Sequence, residues 1–132
     1  HHVLIYDTGP RLSSSFDAGK LVILPFLQTI GVQEVNLMVI SHGDNDHSGG
    51  AKIILKQIQV DKVLSSIPKK FLSNNVNLCE EKLHWEWDGI NFEILYPPKH
   101  HHYLGNNSSC VLKISNHLQS ILLVGKIKKL KT

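Results

Sequence analysis

Blocks of hydrophobic and polar residues predict most of the elements in the first half of the chain. The run "VNLMVIS" (35–41) is continuously apolar, which predicts a strand covered on both faces. The shorter runs "VLIYD" (3–7) and "DKVLSSIP" (61–68) predict two further buried strands. The segment "LVILPFLQTIG" (21–31) is too densely apolar for a one-sided helix, so we expect a buried helix that ends at Gly31.

The second half of the chain has the pattern of paired strands. "LHWEWDGINFEILYPP" (83–98) alternates apolar and polar residues on both sides of Asp88-Gly89, which predicts a hairpin. "CVLKIS" and "SILLVG" predict two more strands. Between the halves, "SGGAKIILKQIQ" has helical spacing, and Ser48 is expected as its N-cap. This order of elements predicts one α/β domain over residues 1–132, with a layered fold and a mixed sheet.

Composition adds modest limits to this picture. The 132 residues, 42% hydrophobic and 19% charged, suit a single folded domain. The net charge of +3 would suit a polyanionic partner without requiring one, and four lysines lie within residues 126–132. Cys79 and Cys110 could be two buried thiols or one disulfide bridge. No apolar run approaches the length of a membrane span, and the start at His1 without a methionine reads as a piece of a longer chain.

The candidate chemistry lies in "VISHGDNDHSGG" (39–50), where His42, Asp44, Asp46 and His47 occupy six positions between a strand and a helix. Ligands commonly bind at such strand ends in α/β proteins. Imidazole and carboxylate together suit Zn²⁺, Mn²⁺ or Fe²⁺ better than Ca²⁺. One ion cannot easily take all four groups from so short a loop, which favours a two-metal site. The alternative is a solvated turn in which the aspartates cap the helix.

These residues carry a resemblance to a known family. "SHGDNDHSGG" (41–50) resembles the His-x-His-x-Asp-His signature of the metallo-β-lactamase superfamily, and "YDTGP" (6–10) resembles its earlier Asp motif. Asp44 stands in place of the usual second histidine. Together with "WDGINFEILYPP" (87–98) and "NNSSCVLKI" (106–114), that substitution is similar to the soluble domain of the ComEC competence proteins. The resemblance implies a metallo-β-lactamase-like αββα fold, of which this chain supplies the N-terminal part.

The resemblance also implies an activity and a set of roles. It implies a nuclease that acts on incoming, single-stranded DNA with two divalent ions, manganese or zinc. His42 and Asp44 would hold one ion, while Asp46 and His47 would hold the other. Asp46 would in addition orient the attacking water as the catalytic residue. Asp7 would brace the loop of residues 41–50, the metal loop, from behind. The resemblance places such a domain in a bacterial inner-membrane protein, on an undetermined side of the membrane.

The chain also departs from the family pattern. Lys126 stands where the family has a carboxylate that bridges both metals, and a protonated lysine cannot ligate. The final metal histidine has no counterpart, and His100, His101 and His102 are the nearest substitutes for a missing third-motif histidine. These departures favour an inactive or weakened form, whose exposed apolar face would promote self-association. A non-catalytic DNA-binding remnant and a lactam or thioester hydrolase stay open as alternatives, although Asp44 argues against the hydrolase.

Two smaller interpretations concern substrate contacts. Lys69, Lys70, Lys99 and the lysines of residues 126–132 could contact phosphates. Trp85 and Trp87 could stack on bases, but they share one face of a strand, which favours core packing.

Overall fold

The computed structural model describes residues 1–68, 75–100 and 108–125. The strands in these ranges are β1 (Leu4–Tyr6), β2 (Glu34–Val35), β3 (Leu37–Ile40), β4 (Gln59–Val60), β5 (Val63–Ser65), β6 (Val76–Leu78), β7 (His84–Trp87), β8 (Ile90–Tyr96), β9 (Val111–Ser115) and β10 (Ser120–Leu123). The helical segments are a π-helical turn (Gly19–Ile23), α1 (Leu24–Thr29), α2 (Asn45–Ser48) and α3 (Ala51–Gln57).

The strands form two four-stranded sheets and one small ribbon. The first sheet is parallel, in the order β1-β3-β5-β6, and the second is antiparallel, in the order β10-β9-β8-β7. Strands β2 and β4 pair separately. The predicted α/β fold with both kinds of strand pairing is confirmed, and the two kinds lie in separate sheets. The predicted hairpin joins β7 to β8, and Asp88 and Gly89 both have the positive φ that a tight hairpin turn needs.

The two sheets pack face to face, and the helices cover the other face of the parallel sheet. The core between the sheets is formed by Leu37, Val39, Leu64, Phe92, Ile94 and Leu112. The second core lies between β3, β5 and α3, and is formed by Met38, Ile40, Ala51, Ile54 and Val63. Strand β3 is therefore covered on both faces, as its sequence predicts, and all four of its residues are buried. Trp85 stacks on Phe92 with ring centroids 5.4 Å apart, which gives it the predicted core role.

The helix predicted at residues 21–31 and its end at Gly31 are confirmed, but its predicted burial is wrong. The segment is helical and ends before Gly31, which has a φ of +76°. Leu27 is buried, but Val22 and Phe26 on the opposite side are 63% and 60% exposed. The reason is geometric, because only one side of the helix meets the layer beneath it. Within the described residues, the other side is an open apolar surface.

The prediction of Ser48 as an N-cap is also wrong. The loop folds into its own short helix, α2, so Ser48 is the last residue of that helix and α3 begins after Gly50. The Ser48 hydroxyl donates instead to the carbonyl oxygens of Gly43 and Asp44, each at 3.0 Å. Asp44 occupies the N-cap position of α2 without a side-chain capping hydrogen bond.

Candidate metal centre

The metal loop starts where buried strand β3 ends. His42 lies two residues after that strand and is fully buried. Its Nδ1 accepts a hydrogen bond of 3.2 Å from the Asp44 N–H. Among the described residues, Nε2 of His42 has no hydrogen-bond partner although it is buried. An unsatisfied buried polar atom costs about 1–3 kcal/mol, and a cation that takes a ring nitrogen would remove such a cost.

Three of the predicted ligands meet at one point. One ligand-type atom from each of His42, Asp46 and His47 lies within 4.8 Å of the others. The His42 and His47 rings are 4.1 Å apart, and Nε2 of His47 lies 3.5 Å from the Asp46 carboxylate. Atoms bound to one zinc ion at about 2.0–2.2 Å lie closer together than this, so small side-chain rotations would bring all three onto one ion. The donor set fits a divalent transition metal.

The Asp44 carboxylate lies outside this group of three. Its Oδ2 is 3.7 Å from Nδ1 of His42, and the side chain is 56% exposed. The cause is the start of α2 at Asn45, since Asp44 precedes that helix while Asp46 and His47 project from it. A role for Asp44 as a metal ligand therefore stays a prediction, and it requires a rotation of this side chain towards the other three.

Asp7 connects strand β1 to the metal loop. Its Oδ1 accepts the Ser41 N–H, and its Oδ2 accepts the Ser41 hydroxyl, both at 2.6 Å. The same Oδ2 accepts a hydrogen bond of 2.6 Å from Nδ1 of His47. With Nδ1 engaged, Nε2 of His47 is the nitrogen that faces Asp46. A carboxylate behind an imidazole in this way fixes the orientation of the ring and raises its strength as a ligand.

Electrostatics favour the ligand form of His42. Burial is the largest cause that lowers its pKa, followed by the nearby His47, while the carboxylates of Asp44, Asp7 and Asp46 oppose the shift. A neutral imidazole is the form that binds metals, so no proton has to leave this ring at neutral pH.

A close backbone contact holds the metal loop against the turn that follows β1. The Thr8 N–H and hydroxyl both donate to the His47 carbonyl, at 2.7 and 3.0 Å, and the Gly50 N–H donates to the Gly9 carbonyl. A Cβ on Gly50 would lie 2.5 Å from the Thr8 carbonyl oxygen and 2.7 Å from the Gly19 nitrogen. Position 50 therefore has room for glycine alone. The sequence pattern marks this glycine but not the reason for it.

A disulfide bridge lies directly behind the same loop. Of the two states left open for Cys79 and Cys110, the structure has the bridge, with the two Cα atoms 5.9 Å apart. The Cys110 N–H donates to the Ser41 carbonyl at 2.8 Å, and the Tyr6 hydroxyl donates to the Cys110 carbonyl at 2.7 Å. Burial raises the pKa of Tyr6, which keeps this hydroxyl protonated as a donor. The residues before His42 and before Asp7 are thus both tied to Cys110.

Several predicted residues fall outside the described part of the chain. Lys126, His101 and His102 lie there, as do Lys69 and Lys70. His100 is described and exposed, and it is not part of the three-residue group. Within the described residues, no helix has both the length and the apolar character needed to cross a bilayer.

Comparison with known proteins agrees with this arrangement. Residues 1–126 match the family description "Metallo-beta-lactamase superfamily". The chain belongs to this superfamily. It is 35% identical over 125 residues to Recombination protein 2 of Haemophilus influenzae and 31% identical over 124 residues to Competence protein ComA of Neisseria gonorrhoeae. These matches cover 92% and 94% of this chain, but only 15% and 17% of the relatives. The resemblance to the ComEC competence proteins is confirmed.

A solved structure shows the same fold. The chain is similar to a metallo-β-lactamase mutant from Cronobacter sakazakii, with a TM-score of 0.63 and 13% identity. The match covers 90% of this chain and 51% of that one. The metallo-β-lactamase-like layering expected from the sequence is therefore confirmed. The chain spans about half of this structural neighbour and a much smaller share of the two sequence relatives.

Proposed function

We propose that this chain is a divalent-metal-dependent phosphodiesterase domain that acts on single-stranded DNA during DNA uptake. The observation that carries the proposal is the convergence of His42, Asp46 and His47, with Asp7 hydrogen-bonded behind His47. The names of the two sequence relatives refer to recombination and competence, both of which are processes that handle DNA. A hydrolytic metal site and DNA-related relatives together favour a nuclease.

The residues present have separate roles in such a site. His42 and His47 would supply neutral nitrogen ligands, and Asp46 would supply the charged oxygen. A divalent ion bound there polarises a phosphoryl oxygen and lowers the pKa of water. The Asp46 side chain is 44% exposed, so it lies where water and substrate can reach it, and one of its oxygens can orient a water molecule. Asp7 would keep the ring of His47 in place. The predicted second ion would need Asp44 and further ligands.

A non-catalytic DNA-binding form is the second candidate. It is favoured by Lys126, which replaces the carboxylate expected to bridge two metals. A positive side chain beside a dication is repelled by several kcal/mol, on the order of 4 kcal/mol for two unit charges 4 Å apart at an effective dielectric of about 20. Metal binding without cleavage would identify this form.

The test measures metal binding and DNA cleavage on the same preparation. Calorimetry with Mn²⁺ and Zn²⁺ is run on the unaltered chain and on Asp46→Asn combined with His47→Gln. Asp88→Asn serves as the matched control, since it removes one carboxylate in a hairpin turn that asparagine tolerates. Cleavage of an end-labelled single-stranded oligonucleotide is then followed with added Mn²⁺.

Three outcomes are informative. At least one equivalent of metal, lost in the double variant and retained in Asp88→Asn, together with metal-dependent cleavage, supports the nuclease. Metal binding without cleavage supports the non-catalytic form. No binding of either metal at micromolar concentrations would refute both the metal centre and the proposed activity.

A further inference from the structure

A basic groove lies among the helical segments that cover the parallel sheet. It has a volume of about 1000 Å³ and runs between the π-helical turn with α1 on one side and α3 on the other. Four basic residues line it, namely Arg11, Lys20, Lys52 and Lys56, and all four are exposed. We refer to this surface as the basic groove. Asp17 is the single carboxylate among the described residues that line it.

The charge of the groove is largely uncompensated. Asp17 is 4% exposed and accepts the Gly19 N–H at 2.9 Å, so this carboxylate is engaged with the backbone. Its other oxygen lies 3.5 Å from Nε of Arg11. In the described part of the chain, no ion pair of Lys20, Lys52 or Lys56 with a carboxylate is found. The groove therefore presents a net positive surface to solvent, which suits a polyanion.

A close contact between two glycines joins the elements that form the two walls of the groove. A Cβ on Gly19 would overlap the Gly50 carbonyl oxygen and would lie 2.7 Å from Ile53 Cγ2. The π-helical turn and the start of α3 therefore meet backbone to backbone. Since this contact fixes the spacing of the two groove walls, the basic side chains stand on a preformed support and not on a free loop.

One residue that lines the groove contacts the metal loop. The Arg11 N–H donates to the Asn45 side-chain oxygen at 3.1 Å, and Asn45 immediately precedes the predicted catalytic residue Asp46. From there the positive residues extend along α3, where Lys52 and Lys56 lie one turn apart on one face. Four residues of an α-helix advance about 6 Å, which is close to the spacing of successive phosphates in an extended strand. The chemistry of the walls thus matches a polyphosphate backbone.

We propose that the basic groove binds the backbone phosphates of a single DNA strand whose scissile bond lies at the metal centre. This inference rests on the proposed function. The groove accommodates a few nucleotides of one strand, and none of the described residues that line it is aromatic. We therefore expect electrostatic contacts with the phosphates and no stacking of bases on these residues. Binding should be indifferent to sequence and strongly dependent on salt.

The test uses a fluorescent twenty-residue oligothymidylate and follows its anisotropy in EDTA, so that no metal is needed for binding. The groove variant is Lys52→Gln with Lys56→Gln. The control is Lys62→Gln with Lys82→Gln, which removes the same charge at exposed positions outside the groove. Circular dichroism confirms that both variants are folded.

The expected result is a difference in salt dependence. Four phosphate contacts predict a slope of about −2.8 for log K against log salt, a loss of about 50-fold in affinity between 50 and 200 mM KCl. The groove variant should retain a slope of about −1.4, a loss of about sevenfold, while the control keeps the full slope. Equal slopes for the groove variant and the control would overturn the proposal.

Failure of the groove and failure of the nuclease are distinguishable. Groove-dependent binding in EDTA without Mn²⁺-dependent cleavage would leave this inference standing and remove the catalytic one. Mn²⁺-dependent cleavage with equal DNA binding by both variants would support the nuclease and overturn the inference about the groove.

Sedimentation with phosphatidylglycerol vesicles tests an anionic membrane as the occupant, because Val22 and Phe26 form an apolar surface on the same helical segment. Loss of vesicle binding in the groove variant with unchanged DNA binding would overturn the proposal.

Discussion

Replacement of Asp7 by asparagine tests the link between strand β1 and the metal loop. The carboxylate takes part in three short hydrogen bonds, with the Ser41 N–H, the Ser41 hydroxyl and Nδ1 of His47. Asparagine keeps one acceptor oxygen and puts an NH₂ group where the second oxygen accepts two donors. Position 7 has a φ of +63°, which asparagine tolerates better than alanine, so the substitution adds little backbone strain.

The magnitude follows from the bonds that are lost. A hydrogen bond to a charged group contributes about 1.5–3 kcal/mol, and the asparagine loses two of the three. The Asp7 side chain is 13% exposed, so water can reach part of the carboxylate and replace some of the lost bonding. We therefore take the lower end of this range. The free energy of unfolding should fall by about 3 kcal/mol. The metal affinity should fall by about 10–100-fold, the usual cost of removing the partner of a ligating histidine.

Two assays check these values on the same variants. Urea unfolding is followed by the fluorescence of Trp85 and Trp87, which pack in the core between the sheets, and calorimetry gives the metal affinity. Ser41→Ala is the graded control, because it removes one hydroxyl donor and leaves the bond between Asp7 and His47. Its effect should be about 1.5 kcal/mol, half of that expected for Asp7→Asn. A variant Asp7→Asn with unchanged metal affinity and an unfolding free energy within about 0.5 kcal/mol would refute the bracing role.

Three further predictions concern the disulfide, acid stability and association. Reduction of the bridge between Cys79 and Cys110, which are 31 residues apart, should lower the free energy of unfolding by about 3.7 kcal/mol in urea titrations; the double alanine variant should show no response to reductant. The fold lowers the pKa of His42 below the ordinary histidine value of 6.5. The stability that this residue contributes is therefore present above pH 6.5 and is lost as the pH falls below 6.5. Denaturation at several pH values should show that loss, and His42→Gln should remove it. Val22→Ser with Phe26→Ser should reduce self-association in sedimentation experiments, and an unchanged distribution of species would contradict the role of this surface.

The elements with the strongest local patterns could be predicted from sequence. Strand β3 is predicted because a continuous apolar run can be satisfied only by cover on both faces. The hairpin is predicted because Asp88-Gly89 favours a turn that few other pairs adopt. Strand β6 is missing from the sequence prediction, since Val76–Leu78 is short and partly exposed and owes its pairing to β5.

The parts that sequence could not supply depend on distant neighbours. The apolar density of residues 21–31 predicts burial, but it does not tell which side of the helix meets another layer. Asp7 and His47 are 40 residues apart along the chain, and their contact follows from the pairing of β1 with β3. The sequence indicates Asp7 through its resemblance to a family motif and not through its spacing from the loop. The orientation of Asp44 and the choice between thiols and a bridge also depend on the folded chain.

The cross-link has a consequence for how the molecule opens. Cys79 follows the last strand of the parallel sheet and Cys110 precedes the second strand of the antiparallel sheet, so one covalent bond joins the two layers at their common core. In native-state hydrogen exchange, we expect the amides of β3 and β9 to exchange together, as a single cooperative unit. The outer strands β7 and β10, which lie at the two edges of their sheet, should exchange first and independently. The two sheets would then separate only in the global unfolding event.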